Sequence, residues 1–70
     1  MKFIDNYYKI KVNSKEYVYI NTLSGAIDVI ENEANDVIEK WQRSNICCKT
    51  SYDKEVYDFM TKRGYILEEQ

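Results

Sequence analysis

An α+β fold, a three-stranded antiparallel sheet followed by two or three helices, is what the periodicities of this chain predict. Three observations carry the prediction. The first half alternates apolar and polar residues in three short runs, the mark of strands. A loop closed by Gly25 separates the second run from the third, and glycine takes the positive φ that a tight reversal needs. The second half switches to a 3.6-residue period, so its helices must cover the sheet.

Residues 1–6 hold no sustained pattern and read as a loose lead-in. Residues 7–12 alternate, with Tyr8, Ile10 and Val12 on one face and Tyr7, Lys9 and Lys11 on the other. Residues 13–15 form a hairpin loop without the glycine that a three-residue turn favours. Residues 16–20 are aromatic or β-branched after Glu16, and 26–30 resume the extended pattern. Pairing Ile10 with Val18, Val18 with Val29 and Ile20 with Ile27 gathers the aliphatic residues on one face. A one-residue slip would bring polar residues into it, so the apolar pattern specifies the register. That aliphatic face is expected to be the core. The other carries Tyr7, Lys9, Lys11, Tyr17, Tyr19, Asn21, Asp28 and Ile30 and is expected to be wet, as an ordinary strand surface or as a docking face for a neighbouring domain.

The first helix is expected over 32–43. Ala34, Val37, Ile38 and Trp41 form its buried stripe, Asn32 its N-cap, and Trp41 its core anchor. Residues 44–51 read either as one helical turn or as a packed loop. Thr50 and Asp53 can cap the next helix, expected over 52–63 with Tyr52, Val56, Phe59 and Met60 buried. Gly64 suits the position just past its end, where Tyr65, Ile66 and Leu67 fold back as the hydrophobic contact of the cap. Tyr57 lies off the stripe, beside Lys54, Thr61 and Arg63.

The bulk composition narrows the function. Seventy residues make one domain with a small core. No apolar run approaches the ~20 residues of a membrane span, and the N-terminus lacks the apolar core of a signal peptide, so a cytoplasmic protein is expected. A net charge of −2 weighs against nucleic acid, whose binders need a basic face. The chain has no histidine, the commonest general base and metal ligand. Cys47 and Cys48 are adjacent, which suits neither a zinc site nor a redox pair; both are expected to be reduced, with at least one filling core space. This chain shows no means of doing chemistry of its own.

The succession of Tyr19-Ile20-Asn21, Ser24-Gly25, the stretch 31–41 up to Trp41 and Lys62-Arg63-Gly64-Tyr65-Ile66 resembles a known family over nearly the whole chain. It resembles the N-terminal RiPP recognition element of radical SAM/SPASM peptide maturases, a PqqD-like winged helix-turn-helix. The middle helix of that family would have to fit into 44–51, and the C-x-x-x-C-x-x-C motif that binds the catalytic 4Fe–4S cluster is absent. The resemblance therefore implies a recognition domain that is the N-terminal part of a larger enzyme of natural product biosynthesis, or that works beside one. The 4Fe–4S clusters and S-adenosylmethionine would belong to the parent enzyme, with no cofactor or metal in this chain.

By the same resemblance, the leader segment of a ribosomally synthesised precursor peptide adds as a strand to 26–30, in a groove walled by the last helix. Peptide-binding residues would be Gly25, Ala26, Ile27, Asp28, Val29 and Ile30 on the edge, and Lys54, Tyr57, Thr61 and Arg63 on the wall. The third strand has no partner strand after it, and only Asp28 stands as a gatekeeper against pairing. The implied partners are the precursor peptide and a catalytic radical SAM domain, with no nucleic acid and no membrane. A structural domain docking through the tyrosine face is one alternative. A winged-helix DNA-binding regulator is another, disfavoured because 52–63 holds as many acidic as basic side chains.

Overall fold

The computed structural model describes residues 2–67. Its order is β1 (Lys2–Phe3), β2 (Tyr7–Lys11), β3 (Glu16–Asn21), β4 (Ile27–Glu31), α1 (Asn32–Arg43), α2 (Ser51–Lys62) and β5 (Ile66–Leu67). Strands β2, β3 and β4 form an antiparallel sheet in that order, and β1 pairs antiparallel with β5 in a two-stranded ribbon. The fold is α+β. Residues 44–50 form no helix, so two helices face the sheet.

The expected register is the observed one. Ile10 pairs with Val18, Val18 with Val29, and Ile20 with Ile27. The hairpin between β3 and β4 closes on Gly25, with φ of 79°. Asn21 organises this turn: its Oδ1 accepts from the Leu23 and Ser24 amides at 2.9 and 3.1 Å, and its Nδ2 donates to the Arg63 carbonyl at 3.1 Å. One buried side chain thus shapes the hairpin and ties it to the end of α2.

The buried face is the reverse of the expected one. Tyr19, Asn21, Asp28 and Ile30 are buried against the helices, with Tyr7 and Tyr17 packed on the same core. The aliphatic face looks outward: Tyr8 is 67% exposed, Ile10 53%, Ile27 66% and Val29 61%. Polar groups on the inner face find partners on α1 and on the chain just past α2. Tyr19 Oη donates to Asn35 Oδ1 at 2.5 Å, Asn35 Nδ2 donates to Glu39 Oε2 at 2.5 Å, and Lys9 Nζ lies 3.2 Å from that same oxygen. Tyr65 Oη lies 3.0 Å from Asp28 Oδ2 and 3.2 Å from the Tyr19 carbonyl oxygen. A tyrosine buries a large ring and keeps a polar handle, so this face loses little by desolvation once α1 and the residues after α2 supply partners.

Helix α1 buries Ala34, Asn35, Ile38 and Trp41, and Trp41 is a core residue as expected, its Nε1 donating to the Cys47 carbonyl at 3.0 Å. Its N-cap is Glu31 rather than Asn32, whose side chain instead donates to the Ser14 carbonyl at 2.7 Å. Thr50 caps α2 by accepting from the Asp53 amide at 3.0 Å. Asp53 in turn accepts from the Lys49 amide at 3.0 Å, one residue ahead of the cap. At the other end Gly64 has φ of 82°, with Tyr65 N–H to Met60 O at 2.9 Å and Gly64 N–H to Thr61 O at 3.2 Å. Those two bonds make a Schellman motif, and it turns Tyr65 and Ile66 into the core.

Two further expectations are corrected. The N-terminal segment is no loose lead-in: Phe3 and Ile4 are buried, and the Ile4 amide donates to the Tyr65 carbonyl at 2.9 Å. Cys47 and Cys48 are both free and exposed rather than core-filling. Ile46 is the loop residue that packs on the core instead. No helix of the described residues is long and apolar enough to cross a membrane.

Candidate functional site

Strand β4 leaves one long side open. Among the described residues it pairs only with β3. The Ala26 carbonyl accepts from the Asn21 amide at 2.8 Å, and the Asn32 amide donates to the Lys15 carbonyl at 2.9 Å. Antiparallel ladders alternate their bonding direction residue by residue, so even-numbered positions of β4 face β3. Ile27 and Val29 therefore direct their amides and carbonyls away from the sheet, toward a free edge.

Beside that edge runs an open groove of about 350 Å³ between β4 and α2. Val29, Ile30 and Ala34 contribute its strand and α1 side, and Val56, Phe59 and Met60 its α2 wall. Met60 and Ile30 are buried there, whereas Phe59 is 43% exposed. Glu16, Glu31 and Glu55 stand around one end. Tyr52 Oη donates to Glu31 Oε1 at 2.5 Å, joining the first turn of α2 to the end of β4. Burial, and then the adjacent Glu31 carboxylate, push the Tyr52 hydroxyl well above its ordinary pKa, so it stays a donor. The groove thus offers main-chain hydrogen bonds on one side, apolar contacts on the other and negative charge at one end.

The expected site residues divide on this geometry. Val29 and Ile30 line the groove. Gly25, Ala26 and Arg63 meet at another open depression, with Lys62 and Gly64. Ile27 lies on the free edge with its side chain on the exposed sheet face. Asp28 is not a gatekeeper at the edge. It is buried on the inner face, where Arg63 Nε lies 2.8 Å from its Oδ1. That contact holds the end of α2 against β4.

Lys54, Tyr57 and Thr61 are not among the groove's lining residues. Tyr57 is half-buried, its ring edge-on to Trp41 at 6.5 Å. Lys54 pairs with Asp58 at 3.1 Å and lies over the Tyr57 ring at 5.2 Å, while Thr61 is exposed. The observed wall is Tyr52, Glu55, Val56, Phe59 and Met60. Tyr52 and Phe59 shared a stripe with Val56 and Met60 in the sequence, but a twelve-residue helix over three short strands buries only the centre of such a stripe. The period alone does not reveal which margin borders a groove.

Among the described residues no group of three or more cysteine, aspartate or glutamate side chains converges to hold a metal ion. No protein-family model, curated protein or solved structure matches this chain.

Proposed function

We propose that this chain is a peptide-recognition element that binds the leader segment of a ribosomally synthesised precursor by strand addition. In this reading the leader lies antiparallel or parallel to β4 and presents its following segment to a radical SAM maturase. The sheet and helices take the roles of a PqqD-like winged helix-turn-helix. The observation that carries the reading is the free edge at Ile27 and Val29 bordered by an apolar groove. Main-chain bonds to such an edge supply affinity regardless of sequence, and alternate side chains dropping into the groove supply selectivity. Cys47 and Cys48 are adjacent and exposed, a donor set unsuited to a cluster held by three thiolates. The cluster and S-adenosylmethionine would therefore belong to a catalytic partner, and this chain's part is binding.

The docking alternative relied on an exposed tyrosine face, and Tyr7, Tyr17 and Tyr19 instead pack into the core. An NMR titration with a precursor leader tests the main reading. The Ile27 and Val29 amides should become protected from exchange, because a new ladder removes them from water. The largest side-chain shifts should fall on Val56, Phe59 and Met60. Phe59→Ala should weaken binding by about tenfold or more, roughly 1.4 kcal/mol, with the fold unchanged. Shifts that avoid both β4 and the α2 wall would overturn the proposal.

A further inference from the structure

The outward face of the sheet is built in three cross-strand rows. Tyr8, Ile20 and Ile27 make the first, and Ile10, Val18 and Val29 the second. Val12, Glu16 and Glu31 make the third: the Val12 amide donates to the Glu16 carbonyl, and Glu16 pairs with Glu31. Two rows are thus wholly apolar, and the carboxylates are confined to one end. Lys9 and Lys11 alternate to the other side, where each lies 5.6 Å from the Tyr17 ring centre. The two apolar rows and Val12 expose on the order of 600 Å², at the upper end of the largest patch on an ordinary monomer and somewhat below the ~800 Å² each partner contributes to a stable complex of standard size.

We propose that this face is a homodimer interface, in which the sheets of two copies pack face to face about a twofold axis. The charge pattern selects the axis. An axis along the strands would bring Glu16 and Glu31 of both copies to one end, four carboxylates with no cation on the face, and like charges so juxtaposed oppose association. An axis across the strands, passing between the two apolar rows, lays the Tyr8 row of one copy over the Ile10 row of the other. Each glutamate row then falls at an opposite rim, in water. Aligned sheets packed about 10 Å apart interdigitate such β-branched rows, as in a sandwich core. The twofold makes the contact self-complementary, so one patch serves as both halves.

Sedimentation velocity of the full 70-residue chain over a range of micromolar concentrations tests this directly. The expected result is a concentration-dependent shift from monomer to dimer mass. Ile10→Glu places a charge in the centre of the contact and should weaken association on the order of a hundredfold or more, with the monomer's circular dichroism unchanged. Ile27→Lys, at a second exposed position, should do the same. Phe59→Ala, in the groove behind β4, should leave the dimer intact. In a mixed-label sample, intermolecular NOEs should connect the Tyr8 ring with the Ile10 methyls. A chain that remains monomeric at every concentration overturns the proposal, as does a dimer that survives Ile10→Glu. Intermolecular contacts confined to the outer edges of β2 or β4 would also overturn it, since they would mean edge pairing.

Discussion

The two faces of one sheet make an instructive contrast. Both are built from the same three strands in the same register. The inner face holds Tyr7, Lys9, Tyr17, Tyr19, Asn21 and Asp28, yet α1 and α2 cover it. The outer face holds mostly valine and isoleucine, yet it stands open. Hydropathy alone would assign them the other way round. What decides is whether the covering helices can meet the polar groups of a face. Asn35, Glu39 and Arg63 meet those of the inner face through hydrogen bonds that fit its tyrosine hydroxyls, lysine and aspartate. Among the described residues that are not exposed, no fully buried side-chain nitrogen or oxygen lacks a partner. An aliphatic face asks for no such match, so it is free to serve a partner.

The contrast can be broken most directly at its extremes. Tyr19→Ala should destabilise by about 3–5 kcal/mol, and Trp41→Ala by a similar amount, because each empties a buried aromatic site. Thermal or denaturant melts read the loss. If Tyr19→Ala proved no worse than Ile10→Ala, the assignment of the faces would be wrong.

Alkaline pH tests the inner face without mutation. Burial holds the Tyr19 and Tyr65 hydroxyls above the ordinary value of 10.0, Tyr65 further so by its bond to Asp28. The folded state therefore keeps protons that the unfolded chain gives up. This contribution is fully present below pH 10.0, and it is lost as pH rises from there through the higher folded-state values. Melts repeated through this range should fall steadily in Tm, with the share of tyrosinate absorbance that belongs to the buried Tyr19 and Tyr65 appearing together with unfolding. Glu39 acts in the opposite direction. Bonds from Lys9 and Asn35 lower its pKa below the usual 4.5, so its contribution is present above that value and declines as pH falls through the folded-state pKa.

Asp28→Ala should cost about 2–3 kcal/mol, since it deprives Arg63 and the buried Tyr65 hydroxyl of a charged acceptor. A neutral outcome would mean that the end of α2 is held by Asn21 and the helix cap alone. Tyr19→Phe should cost about 1–2 kcal/mol, the price of one buried bond to Asn35 with the ring retained. Ile27→Thr should change monomer stability by less than about 0.5 kcal/mol when measured in dilute solution, because its side chain is already in water. A large loss there would show that the outer face is covered within the monomer.

Much of the architecture is legible in the residues themselves. The strand pairs from Ile10–Val18 to Ile20–Ile27, the reversal at Gly25, the Thr50 cap and the stop at Gly64 all follow from local chemistry. Each depends on neighbours within one turn or on a period-two pattern that a slip would ruin. The side of the sheet that is covered is not legible in this way. Alternation tells which residues share a face, while burial depends on partners distant in the chain: Asn35 lies sixteen residues from Tyr19, and Arg63 thirty-five from Asp28. The same distance hides the β1–β5 ribbon, in which a two-residue strand at each end has no pattern until the other is beside it. It also hides the groove wall at Tyr52 and Phe59, where the margin of a helical stripe becomes a surface only once β4 is set against it. Local chemistry set the elements and their register; the tertiary arrangement decided which face became the core, because only packing brings together the groups that make a polar face fit to bury.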